Sequence, residues 1–268
     1  MLLLNGNEVT ANHFADGSTD VKIPIRWISD FDSHTLEWRF DNNEELVLLY
    51  YLTKHVRTKS TGPVRLVMPY IPNARKDRAQ RPEDVFTLKY FAELINSLNF
   101  ASVTVLDPHS NVSEALIDRI NVVRPDLIVK RLIRSLGENT LAFYPDEGAV
   151  KRYAKEIGAP YVYGMKMRDK TTRKILSLEI FGEVEALPGA DVLMIDDICA
   201  SGKTLYVAAR KLKDLGAGKL YVYVSHCENQ AVDSELLSSG IVEKFFTTNS
   251  ILRACHPSVS FVDVPDLR

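Results

Sequence analysis

Apolar residues in this chain fall in short runs separated by longer stretches of mixed character. "VRLVMPYI" (64–71), "SVTVLDPH" (102–109), "TLAFYPD" (140–146), "APYVYGMK" (159–166), "ADVLMIDD" (190–197) and "KLYVYVSH" (219–226) are rich in Val, Tyr and Ile, and many end on polar residues. That is the pattern of short buried strands. Between them the spacing turns helical. "PEDVFTLKYFAELINSLN" (82–99) opens with Pro and two acids, then carries Phe86, Tyr90, Phe91, Leu94 and Ile95 at helical intervals. "GKTLYVAARKLKDLGA" (202–217) sets Leu205, Ala208, Leu212 and Leu215 on one side and ends at Gly216. Strands alternating with helices predict an α/β fold with a mainly parallel sheet covered on both faces. Ligands of such sheets bind at the carboxyl ends of the strands, where several polar clusters of this chain fall. The early stretch 14–40 alternates differently and has turn signals typical of antiparallel strands. A soft boundary near residue 130 predicts a first domain over 1–130 and a second over 131–254. A closing segment, 255–268, is expected to pack back on the first.

Composition narrows the partners. The chain has 268 residues, 46% of them hydrophobic and 25% charged, which supports a full core. A net charge of -2 gives no electrostatic case for nucleic acid or an anionic membrane. No apolar run reaches the length of a membrane span, and "MLLLNGNEVT" has no basic region before its apolar stretch, so a secretory signal is not expected. Cys199, Cys227 and Cys255 are spaced 28 residues apart, which suits neither a CxxC metal site nor a dense disulfide framework. They read as free thiols in a reducing compartment, and a cytoplasmic protein is expected.

The chemistry concentrates in "VLMIDDICASGKT" (192–204). Asp196 and Asp197 close an apolar strand, small residues Ala200, Ser201 and Gly202 follow, and a helix begins near Thr204. A loop of this kind before a helix binds phosphate through backbone amides and the positive end of the helix dipole. The adjacent acids can accept hydrogen bonds from ribose hydroxyls or hold a divalent cation that does. A helix cap with two solvated acids is the plainer alternative. Only "SGKT" resembles a Walker A loop, whose GxxxxGK[ST] spacing is absent here. Cys199 has no activating neighbour in sequence and reads as a loop residue rather than a nucleophile.

The segment resembles the phosphoribosyl pyrophosphate (PRPP) loop of type I phosphoribosyltransferases and of PRPP synthetases, the ribose-phosphate pyrophosphokinases. Other motifs favour the second family. "MPYIPNARKDR" (68–78) resembles its "PYxxYARQDR", "VTVLDPH" (103–109) its "DLH" strand end, and "YPDEGAVKR" (144–152) its "PDxGGxKR" loop. "MKMR" (165–168) matches the "KxR" of its catalytic loop, "FADG" (14–17) the start of "FxDGE", and "TTNSI" (247–251) and "FVDVPDL" (261–267) echo its closing segments.

The resemblance implies two tandem phosphoribosyltransferase-like domains, each with a mainly parallel sheet flanked by helices. It implies Mg²⁺-dependent transfer of the pyrophosphoryl group of ATP to the anomeric hydroxyl of ribose 5-phosphate, giving PRPP and AMP, in a homodimer or higher homo-oligomer. By the same resemblance Lys166, Arg168 and His109 are catalytic. Phe14, Asp16, Arg75, Lys76, Asp77, Arg78 and His109 bind ATP, and His109 and Asp146 organise the metal. Asp196, Asp197, Cys199, Ala200, Ser201, Gly202, Lys203 and Thr204 bind the ribose phosphate. Departures from the family pattern are Ser18 in place of Glu, Lys76 in place of Gln, "SNVSEALI" in place of "QIQGFF", and Lys203 in place of a small residue. Two further readings stay open: transfer to a larger ribosyl phosphate such as ADP-ribose, and a non-catalytic regulatory subunit. A phosphoribosyltransferase would leave "ARKDR" and "DPH" unexplained.

Overall fold

Val, Ile, Leu and aromatic side chains build two β-sheets, each in its own compact unit, Met1–Val123 and Arg124–Val264. The computed structural model describes residues 1–168, 175–264 and 267, with the side chains of 166–168 and 175–177 outside that description.

The first unit runs β1 (Leu2–Leu4), β2 (Asn7–Val9), β3 (Ala11–His13), β4 (Thr19–Val21), α1 (Arg26–Ser29), β5 (His34–Trp38), α2 (Glu44–Lys59), β6 (Val64–Val67), α3 (Thr87–Ser97), β7 (Val103–Leu106), α4 (Asn111–Leu116) and β8 (Ile120–Val123). Its six-stranded sheet has the order β2-β1-β5-β6-β7-β8. β5 to β8 are parallel, while β1 is antiparallel to both β2 and β5. The antiparallel character expected over 14–40 is thus only partial. β3 and β4 form a separate antiparallel hairpin, and β5 has one antiparallel and one parallel neighbour.

Leu36, Trp38, Leu49, Leu66, Phe91 and Ile95 belong to the core of this unit. Leu88, Phe91, Ala92 and Ile95 are the buried stripe of α3, at the i, i+3, i+4, i+7 spacing of one helix face. Tyr90 therefore faces outward, 55% exposed. The helix starts at Thr87, later than the sequence predicts, because the Asp84 carboxylate is taken up by the Gln80 and Arg81 amides in a turn. β6 likewise ends at Val67 rather than Ile71, since Pro69 and Pro72 have no N–H to continue a ladder.

The second unit runs α5 (Asp126–Leu136), β9 (Thr140–Tyr144), α6 (Glu147–Ala149), a π-helical turn (Val150–Ala154), α7 (Lys155–Ile157), β10 (Tyr161–Arg168), β11 (Ile175–Gly182), β12 (Asp191–Cys199), α8 (Lys203–Asp214), β13 (Leu220–Cys227), α9 (Glu235–Ser238), β14 (Lys244–Thr247) and β15 (Val259–Phe261). The seven-stranded sheet has the order β11-β10-β9-β12-β13-β14-β15. All of its pairs are parallel except β10 with β11, which is antiparallel. From β9 the chain moves to β10 on one side and returns to β12 on the other. The carboxyl ends of β9 and β12 therefore flank the point where strand order reverses, which is where open α/β sheets bind ligands. The two faces carry separate apolar layers: Val192, Met194, Leu205 and Leu212 on one, Tyr144, Tyr153, Leu193 and Ile195 on the other. Among the described residues no helix is long and apolar enough to cross a membrane.

Candidate active site

β12 runs two residues past the acid pair, because Ile198 and Cys199 continue to pair with His226 and Cys227 of β13. Asp196 and Asp197 are thus held in a ladder, not in a loose strand end. The Asp197 amide donates to the Asp196 carboxylate at 2.9 Å. Asp197 is buried, and Arg152 donates to it at 2.8 Å. Asp196, 19% exposed and 3.9 Å from the same guanidinium, differs. Burial and then the neighbouring Asp197 carboxylate push its carboxyl well above the ordinary Asp value. The pair is therefore asymmetric, one acid matched by a cation and the other biased towards its neutral form.

After Cys199 come Ala200, Ser201 and Gly202, the last being the N-cap of α8 with φ +70°. A Cβ there would come within 2.8 Å of the Ser234 hydroxyl, so both backbone and space call for glycine. Glycine has no side chain with which to cap, and the first turn of α8 contains Lys203 and no acid. Its leading amides are left to loop, solvent or ligand. Lys203 is exposed and Thr204 half-buried. Beneath the loop, the Cys199 carbonyl accepts from the Glu228 amide at 2.9 Å. Cys199 and Cys227 are both buried. A hydrogen bond with Cys227 that favours the neutral thiol, together with burial, raises the Cys199 thiol well above its ordinary value. A thiol so placed is a poor nucleophile, as the sequence suggests. Cys255 is exposed.

Asp146 follows β9. Its carboxylate accepts from the Ala149 amide at 3.0 Å and caps α6. Arg152 lies farther along the same helical segment, in the π-helical turn. In sequence it is the last residue of "YPDEGAVKR" and carries no assigned role. Its partner lies 45 residues away, and no local pattern announces such a pair. Lys166 and Arg168 lie on β10, whose register with β11 shifts between Met167 and Arg168; their side chains fall outside the described set.

In the first unit, Asp107 closes β7 in a left-handed conformation, φ +42°, and turns the chain towards His109, which is half-buried. Asp77 is buried, and Arg78 grips both its oxygens, at 2.9 and 3.1 Å. That grip lowers the Asp77 carboxyl below its ordinary value, with His109 nearby adding to the effect. The structure therefore groups Asp77, Arg78 and His109. Arg75 and Lys76 are exposed on the same segment. Phe14 is 59% exposed at the tip of the β3–β4 hairpin. Asp16 accepts from the Ser18 amide at 2.9 Å and from its hydroxyl at 2.6 Å, so Ser18 ties the turn. Among the described residues no group of three or more His, Cys, Asp or Glu side chains forms a ready-made metal site.

A family model described as the N-terminal domain of ribose phosphate pyrophosphokinase matches residues 2–98. A ribose-phosphate pyrophosphokinase of Saccharolobus solfataricus is 26% identical over 243 residues, covering 89% of this chain and 82% of that protein. The chain is a family-level match to the ribose-phosphate pyrophosphokinases. Ribose-phosphate pyrophosphokinase 1 of Listeria monocytogenes is 27% identical over 254 residues, covering 90% of this chain and 77% of its own. The crystal structure of phosphoribosylpyrophosphate synthetase from Mycobacterium smegmatis superposes with a TM-score of 0.77 at 18% identity, over 95% of this chain and 85% of that one. The pyrophosphokinase likeness extends through the fold: two sheets, each flanked by helices, in tandem phosphoribosyltransferase-like α/β domains.

Proposed function

We propose that the protein transfers the pyrophosphoryl group of ATP to the anomeric hydroxyl of ribose 5-phosphate, giving PRPP and AMP. The observation that carries this reading is the acid pair at the strand-order reversal, one short loop before a glycine-started helix with no side-chain cap. Such a helix start suits a terminal phosphate dianion, and the acids suit the hydroxyls of the attached ribose. In the transfer, the anomeric oxygen bonds to the β-phosphorus of ATP and loses its proton. The bond from that phosphorus to the α,β-bridging oxygen breaks, and its electron pair leaves with AMP. Charge stabilisation and positioning dominate such chemistry.

Asp196 and Asp197 orient the acceptor ribose, and residues 200–204 hold its phosphate. On the nucleotide side, Arg75, Lys76, Asp77 and Arg78 form the phosphate-facing segment, with Phe14 and Asp16 at the base. Lys166 and Arg168 stabilise the transition-state charge. Mg²⁺ takes oxygen ligands and is held mainly by substrate phosphates with one or two carboxylates. The exposed Asp146 carboxylate fits that demand, while His109, a nitrogen donor, suits a phosphate oxygen better. When bound, Mg²⁺ neutralises triphosphate charge.

ADP-ribose is the second acceptor reading, favoured by Lys203. A cation in the first turn of a helix is unfavourable against the dipole, and an exposed one there is suited to a second phosphate. The deciding experiment follows AMP release from ATP and Mg²⁺ with a panel of ribosyl phosphates. A kcat/KM at least tenfold higher for ribose 5-phosphate, about 1.4 kcal/mol, is expected. The reverse ratio moves the assignment to ADP-ribose, and no AMP with any acceptor leaves the non-catalytic subunit.

A further inference from the structure

Arg152 enters the acceptor site from a helix that is not regular. Residues Val150–Ala154 form a π-helical turn between the α-helical turns of α6 and α7. A π turn takes in one more residue than an α turn and re-aims the side chains it contains. Here Tyr153 is 1% exposed and stacks on Tyr144 at 6.3 Å. The neighbouring Arg152 lies with its guanidinium 5.1 Å from the Tyr153 ring and 2.8 Å from Asp197. The helix segment after β9 is thereby joined to the carboxyl end of β12 across the strand-order reversal.

Resting on the acceptor reading above, we infer that Arg152 is a positioning residue, holding the Asp197 carboxylate oriented to receive a ribose hydroxyl. As a stabilising device alone the pair is poor. Desolvating both charges offsets much of their attraction, and buried pairs are often replaceable by apolar residues at little loss. As a positioning device it is apt. The planar guanidinium fixes a carboxylate's direction as well as its charge. Asp196, 3.9 Å from the same group, is left free to differ in protonation from its neighbour, so the two acids can meet the ribose hydroxyls in distinct roles.

The test uses the full chain. Calorimetry with ribose 5-phosphate, with ADP-ribose, and separately with ATP and Mg²⁺ is run on the wild type, Arg152→Gln and Arg152→Lys, each checked for folding by urea denaturation. Arg152→Gln is expected to weaken binding of the preferred acceptor at least tenfold while ATP affinity changes less than twofold. Arg152→Lys, which keeps the charge and loses the fork, is expected to fall between the two. Should Arg152→Gln fail to fold, Arg152→Lys alone is read, with a three- to tenfold loss of acceptor affinity expected. Unchanged acceptor affinity in a folded variant, or equal loss of acceptor and ATP affinity, overturns the inference while leaving the acceptor reading intact. A wild type that binds neither ribosyl phosphate overturns both.

Discussion

At the scale of single residues, the site rests on backbone as much as on side chains. Gly202 is the clearest case. At φ +70°, a side chain costs on the order of 1 kcal/mol, and a Cβ there would also press on Ser234 at 2.8 Å. Gly202→Ala is expected to destabilise the protein by about 1–3 kcal/mol in urea denaturation. It should also weaken acceptor binding more than ATP binding, because the strain sits at the mouth of the proposed phosphate loop. Lys166→Ala should instead leave stability nearly untouched and lower turnover by on the order of a hundredfold, as expected for an aimed cation acting on transition-state charge. Near-normal turnover in the folded variant removes Lys166 from the mechanism. The acids and loop are legible in the sequence because "VLMIDDICASGKT" compresses strand, carboxylates, small residues and helix start into adjacent positions. Arg152 is not, because its role comes from a contact between distant segments and from a π turn that no composition signals.

At the scale of elements, strands between helices were easier to read than strands at edges. The apolar run of β12 is continuous because both its faces are covered, and its length carries the signal. The edge strands β2 and β15 span three residues each, too few to show alternation, and they exist because neighbouring strands offer them a ladder. Helix ends depended on side-chain accounting, as Asp84 illustrates at α3. A related case occurs at the start of α5. Asp126 sits in its first turn with one carboxylate oxygen buried and unpartnered. Burial, and then Glu156, raise its carboxyl above the ordinary Asp value. Below pH 3.8 the group is protonated in both folded and unfolded chains and exacts no penalty. As pH rises through that value the unfolded chain ionises first, so stability falls until the folded group ionises too. Asp126→Asn is therefore expected to raise the thermal midpoint at pH 7, with a smaller gain at pH 4. An equal gain at both, or none, would remove ionisation as the cause.

At the scale of the whole molecule, each unit has its own sheet and its own apolar core, and the two-sheet plan is legible because the quoted motifs lie at successive strand ends along the chain. The division at Val123 and Arg124 left no linker signature, since β8 passes almost directly into α5 without a Pro-, Gly- or Ser-rich stretch. The three thiols are distributed just as unevenly: Cys199 and Cys227 lie buried at the ends of β12 and β13, and Cys255 lies exposed shortly before β15. A maleimide dye added to the native protein should therefore couple rapidly once per chain, and three times after denaturation, as counted by mass. That makes the unaltered sequence its own optical reporter, with a fluorophore placed at the far edge of the second sheet and the loop between β12 and α8 left chemically untouched.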